Sequence, residues 1–440
     1  MKICIDVDSA HVQKELITKI INIHKQELPR LQRLENYYIG KQEIENRILE
    51  LDKPNNKLVT NYCSYITDTL IGFFMGSPVI YSSSNKEYLE TLKRIFNLND
   101  EQEVNIELAR KQSIKGTGFE MVYIDEDNNI RFDVLDTDEV VMIYDTTIEA
   151  KPSMAIRYYN AHNYIEDKDI TNVEVYTKTN AFYYTMDNNN LTLVDSKEHY
   201  FKEVPIIEYY NNIYRLGDFE KIISLQNNLN LTGSDLSNEL SYFRDCYLKL
   251  IGLERTKDED IAKMKENRVL LLDSDAKAEF MTKEINDSVI QNHLKNLKED
   301  IHKVSYVPDL SQELPANLSG SAIKQKFFNT EQLIVSKERK FKKALQTRIR
   351  LITSILNLKG ANYNWEDIEI KFNRNLPINN VELADAAIKL AGVTSRKTLL
   401  NYIAGYIGID DVDKEMEQIE AENKTLDLDL IPEDRSDLNE

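Results

Sequence analysis

Apolar residues in this chain return at two different periods, and the order in which those periods alternate limits what it can fold into. From Phe119 to Tyr210 they come in short runs parted by turns rich in Asp and Asn. The runs are Phe119–Ile124, Ile130–Val134, Val140–Tyr144, Ala155–Tyr159, Val173–Tyr176, Ala181–Thr185 and Leu191–Val194, and they predict an antiparallel β-rich unit. On both sides the spacing is helical, so the fold class is α+β with long helices.

On the N-terminal side, Leu16, Ile20, Ile23, Leu28, Leu31 and Leu34 predict a helical entry from Asp8 to Tyr38, capped by Ser9, broken near Pro29 and stopped by Gly40. A helix over Leu58–Phe74, a strand at Val79–Ser82 and one helix from Glu87 to Lys115 follow, the last running into Gly116-Thr117-Gly118.

On the C-terminal side, Asp218 to Leu253 reads as one long helix, polar enough to suggest a face packed on something other than a single core. An excursion over 254–285 comes next, with a charged helix Lys257–Asn267 and strands Arg268–Leu272 and Ala278–Thr282. Ile290, Leu294, Leu297, Ile301 and Val304 then form a narrow seam on a helix that begins at Asp287. Lys295, Lys298 and His302 are expected to project together on the other side, at about 100° per residue. Pro308 ends that helix and opens a loop. A long helix, Ser321–Leu358, follows, its apolar stripe interrupted by Lys337 and Arg348. Trp365–Asn373 reads as strand, and helices are expected at Val381–Ala391, Ser395–Tyr406 and Asp411–Asn423.

At 440 residues the chain is expected to hold two to four domains, since single cores run to about 100–200 residues. Cys4, Cys63 and Cys246 lie far apart and include no Cys-x-x-Cys pair, which fits a reducing compartment. The start lacks the apolar region of a secretory signal. Leu70–Ile80, the longest apolar stretch, is interrupted by Gly72, Gly76, Ser77 and Pro78, too short for a membrane span. The net charge of −19 argues against nonspecific nucleic-acid binding. It is unevenly spread, however. Asp410–Glu440 has thirteen Asp and Glu against three Lys and Arg, whereas Ser321–Arg350 has nine Lys and Arg against Glu331 and Glu338. That basic helix is either a solvated face or a surface for acidic partners.

The catalytic motifs fail on context. Ile3-Cys4-Ile5-Asp6-Val7-Asp8-Ser9 matches the nucleophile strand of a phosphohydrolase, but helices and antiparallel strands follow instead of parallel β-α units, so Asp6 and Asp8 are expected to be structural. Gly116-Thr117-Gly118 follows a helix and precedes a strand, the reverse of a phosphate loop, and reads as a tight turn. Asp410, Asp411, Asp413, Glu415 and Glu417 lack the spacing of a calcium loop, and six histidines make no metal pair. No enzyme activity, metal or cofactor is expected.

Several local patterns occur in a telling order. They are Tyr37-Tyr38-Ile39-Gly40, Asn55-Asn56-Lys57-Leu58-Val59-Thr60-Asn61-Tyr62, Gly72-Phe73-Phe74-Met75-Gly76-Ser77-Pro78-Val79, Lys115-Gly116-Thr117-Gly118 before Tyr123, Asn317-Leu318-Ser319-Gly320-Ser321-Ala322-Ile323-Lys324, Lys337-Glu338-Arg339-Lys340-Phe341 and Phe372-Asn373-Arg374-Asn375-Leu376-Pro377. In this order, over about residues 30–405, the chain resembles the portal proteins of tailed phages, those of siphoviruses of Gram-positive hosts.

The resemblance implies a cyclic homo-oligomer, dodecameric in the virion, of subunits with wing, stem, clip and crown around a channel. Mapped here, the wing is 1–216 with 359–377 returning to it, the stem lies in the helices of 217–253 and 286–305, and the clip is 254–285. A tunnel loop at 306–320, the long helix 321–358 and a crown with acidic tail at 378–440 complete the map. The tunnel loop would contribute Val307, Pro308, Asp309, Leu310, Ser311, Gln312, Glu313, Leu314, Pro315, Ala316, Asn317, Leu318 and Ser319. Lys295, Lys298 and His302 are the DNA-facing candidates, and Lys257, Lys265 and Arg268 the partner-docking candidates of the clip. Implied partners are double-stranded DNA, the large terminase subunit, a head-completion or adaptor protein and the major capsid and scaffolding proteins, with no membrane. The implied location is the portal vertex of the virion, after assembly in the host cytoplasm. Two rival functions are a phosphohydrolase using Asp6 and Asp8, and a helical scaffold that never touches DNA.

Overall fold

The computed structural model describes residues 2–6, 12–50, 53–163, 167–187, 189–242, 248–251, 277–280, 287–310, 324–374, 380–407, 409 and 412–429. They fall into two compact units, one of residues 1–312 and 327–375, the other of 313–326 and 376–440.

The first unit is built on a six-stranded sheet of β1 (Ile3–Cys4), β5 (Val140–Tyr144), β6 (Pro152–Asn163), β7 (Lys168–Tyr176), β8 (Asn180–Asp187) and β9 (Asn190–Glu198), in that order across the sheet. Every pairing is antiparallel except β1 with β5, which the apolar spacing does not predict. The turn-parted runs of the sequence all become strands, each but Val140–Tyr144 longer than its apolar centre. Alternate residues of β5 feed two cores, which is why all five are buried. Val141 and Ile143 meet Ile17, Ile20 and Ile21 of helix α1 (Lys14–Lys25), while Val140, Met142 and Tyr144 meet Phe119, Leu135 and Ile206.

Phe119, Leu135 and Ile206 belong to a three-stranded sheet of β3 (Thr117–Ile124), β4 (Ile130–Leu135) and β10 (Ile206–Tyr210), with β3 in the middle. Two further strands, β2 (Ile80–Ser82) and β13 (Glu369–Lys371), pair with each other, so the segment after the long helix returns to the N-terminal part of the chain. The strand expected over Trp365–Asn373 shrinks to β13 behind a 3-10 turn at Trp365–Asp367.

The helical entry is two helices, α1 and α2 (Leu28–Tyr38), joined at Gln26 and Glu27. The break expected near Pro29 is there, and Pro29 itself stands in the first turn of α2, where its missing N–H costs nothing. Helix α3 (Tyr62–Met75) starts later than expected, on an Asn61 cap that accepts from the Ser64 amide.

The single helix expected from Glu87 to Lys115 is two, α4 (Lys86–Leu98) and α5 (Glu101–Lys115). Asp100 between them is in the left-handed region, at φ 47°. Asn99 beside it serves as a fragment of strand, its Nδ2 donating to the Ile130 carbonyl at 3.1 Å while its Oδ1 accepts from the Phe132 amide at 3.0 Å. Helix α5 ends at Gly116, φ 81°, where a Cβ would stand 2.1 Å from the Arg215 carbonyl oxygen. The tight turn expected at Gly116-Thr117-Gly118 is made by Gly116 alone, and Thr117 and Gly118 already belong to the following strand.

Helix α6 (Ile223–Tyr242) is shorter than the helix read over Asp218–Leu253. A strand, β11 (Leu248–Ile251), lies where its end was expected and pairs with β12 (Lys277–Phe280), so the β excursion begins before residue 254. The expected strand Arg268–Leu272 and helix Lys257–Asn267 lie outside the described residues. Helix α7 (Asp287–Ser305) matches the seam. Helix α8 (Phe328–Leu358) carries the long basic stretch but starts at Phe328, with Phe327 as its non-helical cap.

The second unit contains α9 (Asn380–Leu390), α10 (Arg396–Ile407) and α11 (Val412–Asp429), with Lys397 of α10 paired to Asp413 of α11 at 2.6 Å. Among the described residues no helix is long and apolar enough to cross a membrane.

Candidate functional site

The elements assigned to the stem and tunnel loop rest on a hydrogen-bonded ladder. Residues 56–62 run alongside α6, and four side chains of α6 bond their alternate amides. Asn56 N donates to Asn238 at 2.7 Å, Leu58 N to Ser234 at 2.9 Å, Thr60 N to Asn230 at 3.0 Å and Tyr62 N to Gln226 at 3.1 Å. The match is metric. Four helical residues rise about 6 Å, close to the roughly 6.6 Å of two extended residues. A segment with no strand partner thus has its donors satisfied by side chains, which explains why α6 is so polar. Asn230 is buried and also donates to Gln42 at 2.5 Å, while Gln226 returns a bond to the Thr60 carbonyl at 2.7 Å.

The ladder fixes the start of α3, where Tyr62 and Tyr65 meet His302 of α7 edge-on, with ring centroids 5.4 and 5.9 Å away. His302 is only 11% exposed, and its Nδ1 donates to the Val307 carbonyl at 3.0 Å. The expected grouping of His302 with Lys295 and Lys298 therefore does not form. The two lysines are exposed, Lys295 standing 3.9 Å from Glu299, while the histidine is turned inward against α3. The seam explains the difference, because it is fully covered only at Leu297 and Ile301, beside His302. Leu297 and Ile301 are buried, Ile290 and Leu294 half-buried, and Val304 exposed.

Of the expected tunnel loop, Val307, Pro308, Asp309 and Leu310 are described. Val307 is buried and Leu310 is 40% exposed. Ser311, Gln312, Glu313, Leu314, Pro315, Ala316, Asn317, Leu318 and Ser319 lie outside the described residues, as do Asp8 and the residues expected in a clip, Lys257, Lys265 and Arg268. Asp6 caps a turn, accepting from the Thr146 amide at 3.1 Å and its hydroxyl at 2.7 Å.

The basic helix α8 is neither a simple solvated face nor a simple surface for acidic partners. Lys337 is buried against Asp218, Nζ to Oδ2 2.5 Å. Arg348 is fully buried between Glu120, in ion contact at 2.6 Å, and Glu101 at 3.2 Å, with Asn105 at 2.9 Å and the Phe132 ring face 4.5 Å away. Burial raises the Glu120 carboxyl above the usual range, against the pull of Arg348 and a bond from the Tyr209 hydroxyl. Arg350 forms a fork to Glu203, and Arg374 bonds both acids of the helix, Glu331 and Glu338. The positive charges that break the apolar stripe thus hold α8 to β3, to α5 and to the turn at Asp218. Arg339 and Lys343 are the exposed cations of its middle, flanked by half-buried Lys340 and Lys342.

Sequence reasoning missed Tyr62, Tyr65, Asn230 and Gln226. The available signal was the four-residue spacing of Gln226, Asn230, Ser234 and Asn238 opposite the motif Asn55 to Tyr62.

Residues 17–427 match the family described as phage portal protein, SPP1 Gp6-like. The portal protein of Clostridium phage phiCD119 is 23% identical over 462 residues, covering 98% of this chain and 100% of that one. The portal protein of Bacillus phage SPP1 is 21% identical over 438 residues, covering 92% and 86%. Among solved structures, a chain from the neck of an empty GTA particle is 15% identical at a TM-score of 0.46, over 78% of this chain and 88% of that one. Matched from residue 17 to residue 427, the chain belongs to the SPP1 Gp6-like family of phage portal proteins.

Proposed function

We propose that this protein is one subunit of a closed ring, dodecameric in the virion, through which double-stranded DNA enters and leaves a phage head. The observation that carries the proposal is the family match over residues 17–427, which takes in every element assigned to stem, clip and tunnel loop and all of the wing after its first sixteen residues. The ring is a conduit with no chemistry of its own. The large terminase subunit supplies ATP hydrolysis and docks on the excursion between α6 and α7, and a head-completion or adaptor protein later takes the same place. The major capsid and scaffolding proteins surround the ring, which assembles in the host cytoplasm and ends in the virion at the portal vertex.

The charge of −19 suits such a conduit, because an acidic wall repels phosphates and lets DNA pass without sticking. Lys295 and Lys298 supply weak contacts, and the loop after Leu310 lies closest to the duplex. The phosphohydrolase alternative has no observation in its favour, since both carboxylate oxygens of Asp6 are held by Thr146.

Negative-stain images of the purified protein are expected to show rings with a central hole. Shortening the loop between Gln312 and Ala316 is expected to leave rings intact and lower the DNA content of heads in lysates. A monomer at every concentration and ionic strength refutes the ring. Normal packaging by the shortened loop refutes its place beside the DNA.

A further inference from the structure

Three consecutive carbonyls at the root of the loop are each bonded by a side chain from a different helix. The Tyr306 carbonyl accepts from the Thr330 hydroxyl of α8 at 2.5 Å, the Val307 carbonyl from His302 Nδ1 of α7 at 3.0 Å, and the Pro308 carbonyl from the Tyr65 hydroxyl of α3 at 3.4 Å. Val307 itself is 1% exposed. Tyr306 sits at φ 62°, a left-handed conformation that a bulky aromatic residue adopts only where its surroundings over-determine it.

We propose that Tyr65, His302 and Thr330 are positioning residues that clamp 306–309 into a rigid post, so that the stretch handling DNA begins at Leu310. The proposal rests on the portal reading and deepens it, because that reading by itself makes the whole of 306–320 one loop. The chemistry of the clamp fits a post better than a sliding joint. A carbonyl only accepts, so His302 must carry its proton on Nδ1, and the imidazole is fixed edge-on between two tyrosine rings. Pro308 has no amide to exchange its partner and holds its own φ near −65°. A loop that follows a moving duplex needs a fixed base, since a base that gives way dissipates the displacement.

The test uses full-length rings and the heads assembled from them. Tyr65→Phe and Thr330→Val each remove one hydroxyl with little change of shape, and His302→Leu removes the donor. His302→Asn keeps a donor at about the place of Nδ1. Peptide-level hydrogen exchange over 303–310 is expected to quicken roughly five- to tenfold in Tyr65→Phe and His302→Leu. Packaged DNA falls with it, ring number stays unchanged, and His302→Asn restores both readings. Unchanged exchange in Tyr65→Phe and His302→Leu would show that no clamp exists. Quickened exchange with normal packaging would show a clamp that positions nothing for DNA. A failure of the portal reading appears elsewhere, as absence of rings in the parent protein or normal packaging when 312–316 is shortened.

Discussion

Arg348 joins parts of the chain more than 220 residues apart, since Glu101 and Asn105 face it from α5 and Glu120 from β3. Removing one partner from a buried ion pair leaves the others uncompensated, at a cost of about 3–5 kcal/mol. Arg348→Met is therefore expected to lower the midpoint of urea unfolding sharply, read by the fluorescence of Trp365, the only tryptophan. Combining it with Glu101→Gln and Glu120→Gln is expected to return a large part of the loss, and failure to do so would make packing rather than charge the cause.

His24 gives the pH-dependent counterpart. Burial holds its imidazole at a pKa of about 4, with Nδ1 against the Tyr158 hydroxyl at 2.8 Å. The unfolded chain takes up that proton near 6.5. The folded state then binds fewer protons between the two values, so stability falls as pH drops from 6.5 through 4, by about 3 kcal/mol at most. His24→Gln, which keeps an acceptor for Tyr158, is expected to flatten the Tm-against-pH curve in that window and nowhere else. The sequence marked Lys337 and Arg348 as breaks in an apolar stripe, but their acids arrive from a distant helix, strand and turn that no local pattern connects.

At the scale of elements, what was legible followed periodicity and what was not followed tertiary partners. The seam of α7 and the turn-parted strands were set by spacing alone. The break between α4 and α5 has neither Gly nor Pro, because Asp100 takes the left-handed turn and Asn99 draws its stabilisation from β4. Strand β1 has two residues and exists through β5. The clearest case is the ladder of α6, where polar spacing on one element is matched to extended spacing on another. Asn230→Ala removes the acceptor of the Thr60 amide and the donor to Gln42 at a buried position, expected to cost about 2–3 kcal/mol. Its local sign is release of the 56–62 segment, so trypsin is expected to cut after exposed Lys57 much faster while α8 stays protected. Equal cutting rates in parent and variant would mean that the ladder does not hold the segment.

For the whole molecule, the candidate site divides by the same rule. The order helix, β excursion, helix, proline loop and long helix could be read from the chain, and with it the family. Which side chains face outward could not, as His302 shows, because one face of a helix is decided by what packs on it. The helices α6 and α7 carry apolar side chains that stand largely in water. Leu231 and Leu240 of α6 are 43% and 59% exposed, and Val289 of α7 is 60% exposed. A monomer would leave this surface in water, whereas heterologous packing of identical subunits buries it once per interface and closes when the rotation divides a full turn. Covering three such side chains contributes about 1–2 kcal/mol each per interface, repeated around the ring. Leu240→Glu with Val289→Glu is therefore expected to shift sedimentation from rings towards monomers at low micromolar concentration, with unchanged far-UV circular dichroism. Raising ionic strength is not expected to restore the rings, because the loss lies in burying charge rather than in repulsion across water. Rings as abundant as those of the parent would place the subunit contacts on other faces of the molecule.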